Sequence, residues 1–387
     1  MNSKSGRIII YILTVIISFL YIWGGSTYFS RNLNLFSDSS AYSLNAKITK
    51  IRRVELKEHD YMVEAGIESP PNKLIHFNAK ILSGENKGEE IKAIQYIDGY
   101  ISSSVHEVEK GDNVYLYYST DGEFTGKWLF ADFNRFNTIL LLTFLFFALL
   151  ILFGKIQGFN TIVSLGFTCA AVLLVFIPAV LSGHNIYFWT IITCVYTISM
   201  TLIIVYGINK KSVGAALGCF TGVLLAGIIT LIMHKALKLT GLLNAESYQL
   251  TQLGINLKAV IFGAILIGAI GAIMDISISI SSSLYEVREN ADVITIPDLI
   301  SSGFNIGRDI LGTMSNTLVL AYIGSSLSVI LVLVVYSPSI MELLNREQII
   351  VELLQSLVGI ISILGTIPLT AIICSFLYGA KNIYVNK

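Results

Sequence analysis

The sequence predicts a membrane all-α helical bundle of about eight transmembrane helices, with a small extracytoplasmic all-β, OB-like barrel inserted after the first helix. Three observations carry this. Only 13% of the 387 residues are charged against 54% hydrophobic, where a soluble domain carries about 25% charged residues. Charge-free runs long enough for membrane helices recur from Asn137 to the C-terminus, and about 18 or more such residues suffice. Between the first run and the rest, from Ala41, the apolar pattern changes to short alternating stretches.

The expected spans are 7–23, 137–153, 161–182, 187–206, 213–233, 259–284, 310–336 and 353–377. The first has the basic start of a signal peptide in Lys4 and Arg7, but Gly24-Gly25-Ser26 follows in place of a small-x-small cleavage site. It reads as an uncleaved anchor. Short-loop cations set the orientation. With the N-terminus inside, the inner segments hold Lys4, Arg7, Lys155, Lys210, Lys211, Arg288, Arg308, Lys381 and Lys387, against Lys235, Lys238, Lys258 and Arg346 outside. Both termini are then cytoplasmic. The domains are 1–24 as anchor, 25–135 as extracytoplasmic β-domain and 136–387 as a seven-helix transmembrane domain.

In the β-domain, residues 46–51, 74–82 and 114–118 alternate with period two. The turns are Gly84-Glu85-Asn86-Lys87-Gly88, Gly111-Asp112-Asn113 and Asp121-Gly122. Alternation bounded by such turns predicts about five short strands and a small barrel. Acids and bases nearly balance there and the whole chain is formally neutral, so nucleic acid is not an expected partner. His76 and His106 stand singly and read as surface or half-buried histidines. Cys169, Cys194, Cys219 and Cys374 each lie within an apolar run, as packing residues.

Polar groups enter the membrane at two places. In the run from Gly271 to Leu284, helical spacing puts Ala264, Gly268, Gly271, Asp275, Ser279 and Ser282 on one face. A carboxylate at the bilayer centre costs roughly 2.5–3.5 kcal/mol, so such groups face protein or water. In the next span Asp309, Thr313 and Asn316 share a face, continued by Leu320 and Gly324. Two carboxylate-bearing stripes on adjacent helices could meet as an ion, proton or substrate site, because paired carboxylates exchange protons and oxygen ligands suit hard cations. The competing structural reading makes Asp309 a helix N-cap aided by Arg308 and the serines packing contacts. Between the spans, Thr295-Ile296-Pro297-Asp298 reads as a helix start. Pro297, Gly303 and Gly307 read as breakers, and residues 299–304 then form a short amphipathic or re-entrant segment, as a cytoplasmic gate or an ordinary interfacial loop helix. Gly214, Gly218 and Gly222 form a close-packing stripe. Pro178 and Pro368 sit inside spans and kink or break them.

GxxxxGK[ST], HExxH and GxSxG are absent, so no ATP loop, metalloprotease centre or serine nucleophile is expected. No cofactor and no enzyme activity follow, and a metal is left unassigned. The segments Gly271–Leu284 and Ser302–Leu318, with Ile367-Pro368-Leu369-Thr370, resemble the YibE/F-like family of bacterial membrane proteins. That resemblance implies a polytopic protein of the bacterial cytoplasmic membrane, with no established activity or substrate. Two functions stand. One is an ion- or proton-coupled transporter or permease using the polar faces around 275 and 309. The other is a non-transporting interaction or complex-assembly protein whose outer β-domain binds a membrane or envelope partner. The expected partners are the lipid bilayer, a small ion or proton, and such a protein.

Overall fold

The computed structural model describes residues 4–31, 43–57, 70–84, 86–120 and 122–379. Glu85 and Asp121 of the predicted turns, and Lys381 and Lys387 of the predicted inner tail, lie outside these. The chain divides into two compact units, one of Met1–Leu33 with Leu150–Lys387 and one of Asn34–Leu149.

The second unit holds five strands, β1 (Ser43–Lys57), β2 (Asn72–Ile81), β3 (Glu90–Ile97), β4 (Asn113–Tyr118) and β5 (Trp128–Phe133). They close into a barrel of order β1-β2-β3-β5-β4. The predicted number of strands and the barrel are both present. β1 serves both β2 and β4, antiparallel to each, and β3 runs parallel to β5 through Ala93 opposite Trp128. One strand serves two neighbours because it bulges twice, between Ile48 and Lys50 and between Ile51 and Arg53; bulges bend a strand and increase its twist. Alternate residues point inward, and Ala46, Ile48, Ile75, Phe77, Ala79, Ala93, Val114 and Leu116 are buried in the interior. Buried Gln95 is satisfied at both ends. Its Nε2 donates to the His106 carbonyl and its Oε1 accepts from Val108 N–H, each at 2.9 Å, which pins the segment before β4. Gly111, at φ 104°, makes the turn into β4, a conformation that favours glycine.

The helical unit contains α1 (Lys4–Ser30), α2 (Phe136–Ala171, crossing from the barrel unit), α3 (Ile177–Leu181), α4 (Ile186–Tyr206), α5 (Lys210–Ala236), α6 (Ala245–Gln252), α7 (Leu257–Asn290), α8 (Ile296–Ser325), α9 (Leu327–Tyr336), α10 (Ile340–Asn345) and α11 (Glu347–Tyr378). Six helices among the described residues are long and apolar enough to cross a membrane, and α8 with α9, bent by 64°, makes a seventh. The longest apolar stretch, Phe136–Leu181, is 46 residues, about 69 Å if straight. It is not one rod. Lys155 has φ 48° and ψ −125°, and a Cβ on Gly158 would lie 1.9 Å from the Leu150 carbonyl oxygen. Positions eight apart in an α-helix are about 12 Å apart, so the chain folds back at Lys155 and the stretch divides into the two predicted segments. Five π-helical residues, Val172–Phe176, run into Pro178, which lies within a continuous helical stretch and removes one backbone donor from it, and π-bulges and prolines are where helices bend.

Two expected boundaries are corrected. α1 continues past Trp23 to Ser30, because Gly25 packs on Val175 and Phe29 is buried with Val175 and Ala179. The helix carrying Asp309 starts at Ile296, not 310. Thr295 and Asp298 form a capping box with Pro297 in the first turn. There is then no separate 299–304 segment, and Asp309 is no cap. Gly303 and Gly307, read as breakers, are contact points against Ala371 and Ile367.

The centre of the unit is the triad α5, α7 and α11, each packed on the other two. α8 lies on α7 and α11, α4 on α7 and α5, and α1 on α4. The Gly214, Gly218, Gly222 stripe faces the seam. A Cβ on Gly218 would stand 2.2 Å from Thr370 Oγ1, and one on Gly222 2.2 Å from Thr366 Oγ1. The polar groups there are satisfied. Ser362 and Thr366 donate to carbonyls one turn back. Ser281 Oγ lies 2.6 Å from the Lys211 carbonyl and 2.6 Å from the Tyr378 hydroxyl.

Two outcomes are expected. Gly218→Val should destabilise the helical unit by about 1–3 kcal/mol or more through overpacking, read as a lower melting temperature in detergent. Gly271→Ala, where a Cβ meets nothing within 4 Å, should leave it unchanged or raise it, since Ala is favoured in helices by about 1 kcal/mol. In the barrel, Glu90 is held below the usual carboxylate range by the Thr49 hydroxyl and then by Asn78. A carboxyl with a depressed folded pKa contributes stability that is complete above its unfolded value and lost as pH falls through the folded one. Amide protection in β1–β3, taken relative to the intrinsic exchange rate at each pH, should therefore fall as pH drops below about 4.5, and Glu90→Gln should flatten that dependence.

Candidate functional site

α7 decides where the polar groups go. Asn256 caps its start by accepting from Ala259 N–H, and the helix runs 34 residues, about 51 Å. The buried side carries Ile265, Ala269, Ile273, Ile276, Ile280 and Leu284, the side that faces α5 and α11. The opposite stripe holds Ala264, Gly268, Gly271 and Asp275, all exposed, and runs on into half-buried Ser279 and Ser282. The predicted small-and-polar face is therefore real as a face, and it looks outward from the triad.

Asp275 makes no hydrogen bond and no ion pair among the described residues. It lies about 27 Å from the start of α7 and about 22 Å from its end. Tyr206, the last residue of α4, and Cys219 of α5 lie within electrostatic reach of its carboxylate. On the other flank α8 comes close at one point. A Cβ on Gly268 would lie 2.8 Å from the Tyr322 hydroxyl. One turn further on, Gly271 opens to free space. The stripe is thus a floor flanked by α4 and α8, covered at Gly268 and open from Gly271 to Asp275.

Asp309, Thr313 and Asn316 occupy an exposed face of α8. Thr313 donates to the Ile310 carbonyl of its own helix at 2.9 Å; Asp309 and Asn316 have no partner among the described residues. The side of α8 turned to the bundle is that of Leu299, Gly303 and Gly307. At 100° per residue, Asp309 lies about 140° around the helix from Tyr322, the residue over Gly268. No hydrogen bond or ion pair joins the Asp275 stripe to the Asp309 stripe among the described residues, and Arg308 pairs with neither. No group of three or more His, Cys, Asp or Glu side chains placed to hold a metal ion occurs among the described residues.

The sequence profile of the YibE/F-like protein family matches residues 142–380. The chain belongs to that family. The match starts within α2 and runs through α11, so both polar helices lie inside it and the barrel strands precede it. No curated protein and no solved structure matches the chain.

Sequence reasoning passed over the buried hydroxyls. Ser277, Ser281, Thr366 and Thr370 are completely buried, and Ser277 and Thr370 meet at 3.4 Å across the α7–α11 seam. The available signal was spacing. Ser277 and Ser281 are one turn apart and fall among the isoleucines of α7, as Thr366 and Thr370 do in α11.

The two faces of α7 give a direct check. In a chain with Cys169 replaced by serine, Asp275→Cys should react quickly with a charged methanethiosulfonate, and Ser277→Cys should stay unlabelled over the same period. Equal reactivity at the two positions would contradict the outward placement of Asp275.

Proposed function

We propose that this chain is a polytopic protein of the bacterial cytoplasmic membrane and works as an ion- or proton-coupled transporter, with Asp275 as its ionisable group. The observation that carries the reading is an unpaired carboxylate near the middle of a long apolar helix, standing beside an open floor of small residues. Facing acyl chains, that carboxylate would cost roughly 2.5–3.5 kcal/mol. Water over this floor, between α4 and α8, would remove the cost and give a small cation or proton a path to the carboxylate. The bend between α8 and α9 follows Tyr322 by one turn, and interrupted helices next to a polar site are a recurrent feature of transporters. Asp309, Thr313 and Asn316 form a second polar face on the same helix pair, and Ser279 and Ser282 extend the first. No catalytic residue is assigned.

In this reading both termini are cytoplasmic, the break at Lys155 and the start of α5 at Lys210 and Lys211 lie on the inner side, and the barrel is extracytoplasmic. The barrel is read as OB-like because β1 is shared between β2 and β4 and β5 closes on β3, a five-stranded arrangement suited to binding on its outer face. A non-transporting, complex-assembly role is the competing reading, favoured by the charged cleft on that barrel.

The test is flux. In proteoliposomes holding a pH-sensitive dye and challenged in turn with gradients of Na⁺, K⁺, Mg²⁺ and inorganic phosphate, Asp275→Asn should cut proton-coupled flux at least tenfold, and Asp275→Glu should keep most of it. Wild-type and Asp275→Asn traces that coincide for every gradient would remove the transporter reading.

A further inference from the structure

The barrel's outer face carries a cleft of about 590 Å³, within the size range of small-ligand sites. It spans the sheet from β1 to β5, and four of its lining residues are cations. Arg52 and Arg53 come from β1, Lys92 from β3, and Lys127 from the residue before β5. The pairing explains how they gather. Arg53 sits opposite His76, His76 opposite Ile94, and Lys92 opposite Asn78 on the next row. Strands are 4.7–4.9 Å apart, so the cations span about 14 Å across the four strands.

Arg52 is the extra residue of the second bulge in β1. Successive residues of a regular strand point to opposite faces. Here the bulge lets both arginines line the same cleft, the kind of re-aiming bulges perform.

The charges are not balanced from within. Among the described residues Glu55 is the one carboxylate lining the cleft, 3.7 Å from Arg53 and 3.6 Å from His76. Glu90, within reach of Arg52, is committed to Thr49 and Asn78. Arg52, Lys92 and Lys127 have no ion pair within 4 Å among the described residues. Like charges held together on one surface repel, and a bound anion relieves that repulsion. Guanidinium pairs match phosphate and carboxylate geometry, with lysines as added point charges. Half-buried Trp128 lines the same cleft.

We propose that this cleft is a binding site for a phosphate-bearing ligand with more than one negative charge, held by Arg52, Arg53, Lys92 and Lys127. The spread of the cations exceeds what a single phosphate would need and suits two or more phosphoryl groups, or a phosphodiester with a further anionic group. The site lies wholly in the barrel and does not depend on the role of Asp275.

Trp128 provides the readout. With Trp23→Phe and Trp189→Phe it is the only tryptophan left of three. The full-length chain in phosphatidylcholine nanodiscs would be titrated with pyrophosphate and tripolyphosphate, and separately mixed with cardiolipin-containing or pure phosphatidylcholine vesicles in a flotation assay. The expected result is a saturable, salt-sensitive change in Trp128 emission with at least one phosphate probe, or retention on cardiolipin-containing vesicles alone. The paired variant Lys92→Gln/Lys127→Gln should raise the midpoint about tenfold, whereas Lys92→Arg/Lys127→Arg should keep it. All four positions are exposed, so these variants should fold. A response to the soluble probes assigns the phosphate to a free ligand; retention on cardiolipin-containing vesicles alone assigns it to a lipid headgroup. No response to any probe, or an equal response in the glutamine variant, overturns the proposal.

Discussion

The close approach of α5 to α7 and α11 is the constraint from which the helical unit is built. Three glycines one turn apart leave a groove on α5, and Thr366, Thr370 and Cys374 of α11 fill it. Helices in a hydrocarbon setting gain nothing from burying one more leucine, since lipid is as apolar as leucine. Association then rests on packing and hydrogen bonds, which small residues allow. Ser362, Thr366 and Ser375 can be buried because each has a carbonyl of its own helix as acceptor, and Ser277, Ser281, Thr370 and Tyr378 pair across helices. Once α7 is drawn into this triad by its isoleucine side, its other face has no choice but to turn out. The position of Asp275 is therefore a consequence of Gly218 and Gly222 as much as of its own surroundings.

A different constraint governs the barrel. Closing five strands requires one of them to bend far enough to pair on both sides, and β1 does so through its two bulges. The first bulge places Thr49 where its hydroxyl reaches Glu90 at 2.6 Å, tying β1 to β3 across β2. The second turns Arg52 to the side of Arg53. One irregularity serves closure, and the other gathers charge on the outer face. An even-handed count of acids and bases along the sequence hides this, because charge balance over a segment says nothing about which side chains share a face.

Much of the architecture was legible because it rests on composition and period. Apolar run length located the helices, and the break at Lys155 agreed with a charged residue between two runs. Alternation located β1, β2 and β4. What failed was the meaning of glycine. Gly303 and Gly307 looked like breakers, yet α8 passes straight through them, as α1 does through Gly24 and Gly25 beyond the expected end at Trp23. Gly25, Gly303 and Gly307 are where those helices touch Val175, Ala371 and Ile367. A glycine inside a helix that is held by its neighbours loses its breaking effect, and only the partner helix reveals that. The face of α7 was read correctly from spacing, but its direction was not available. A small-residue stripe suits a close helix contact, and in α5 the same pattern does point inward. In α7 the branched residues won the interior because the glycines of α5 left room for them.

The outward stripe on α7 has a chemical consequence on the proposed reading. Tyr322 covers the floor at Gly268 and nothing covers it at Gly271, so access to Asp275 is unequal from the two ends of the helix. A carboxylate is disfavoured by hydrocarbon in its charged form and tolerated in its neutral form. Any movement of α8 that exchanges water for apolar surface over this face therefore changes the cost of ionisation, and the reverse also holds by linkage. The 64° bend at the end of α8 lies one turn beyond the tyrosine that does the covering. On that reading, Tyr322 over Gly268 is the contact by which a shift of this end of α8 would change the cover on the stripe, and a larger residue at 268 would abolish it.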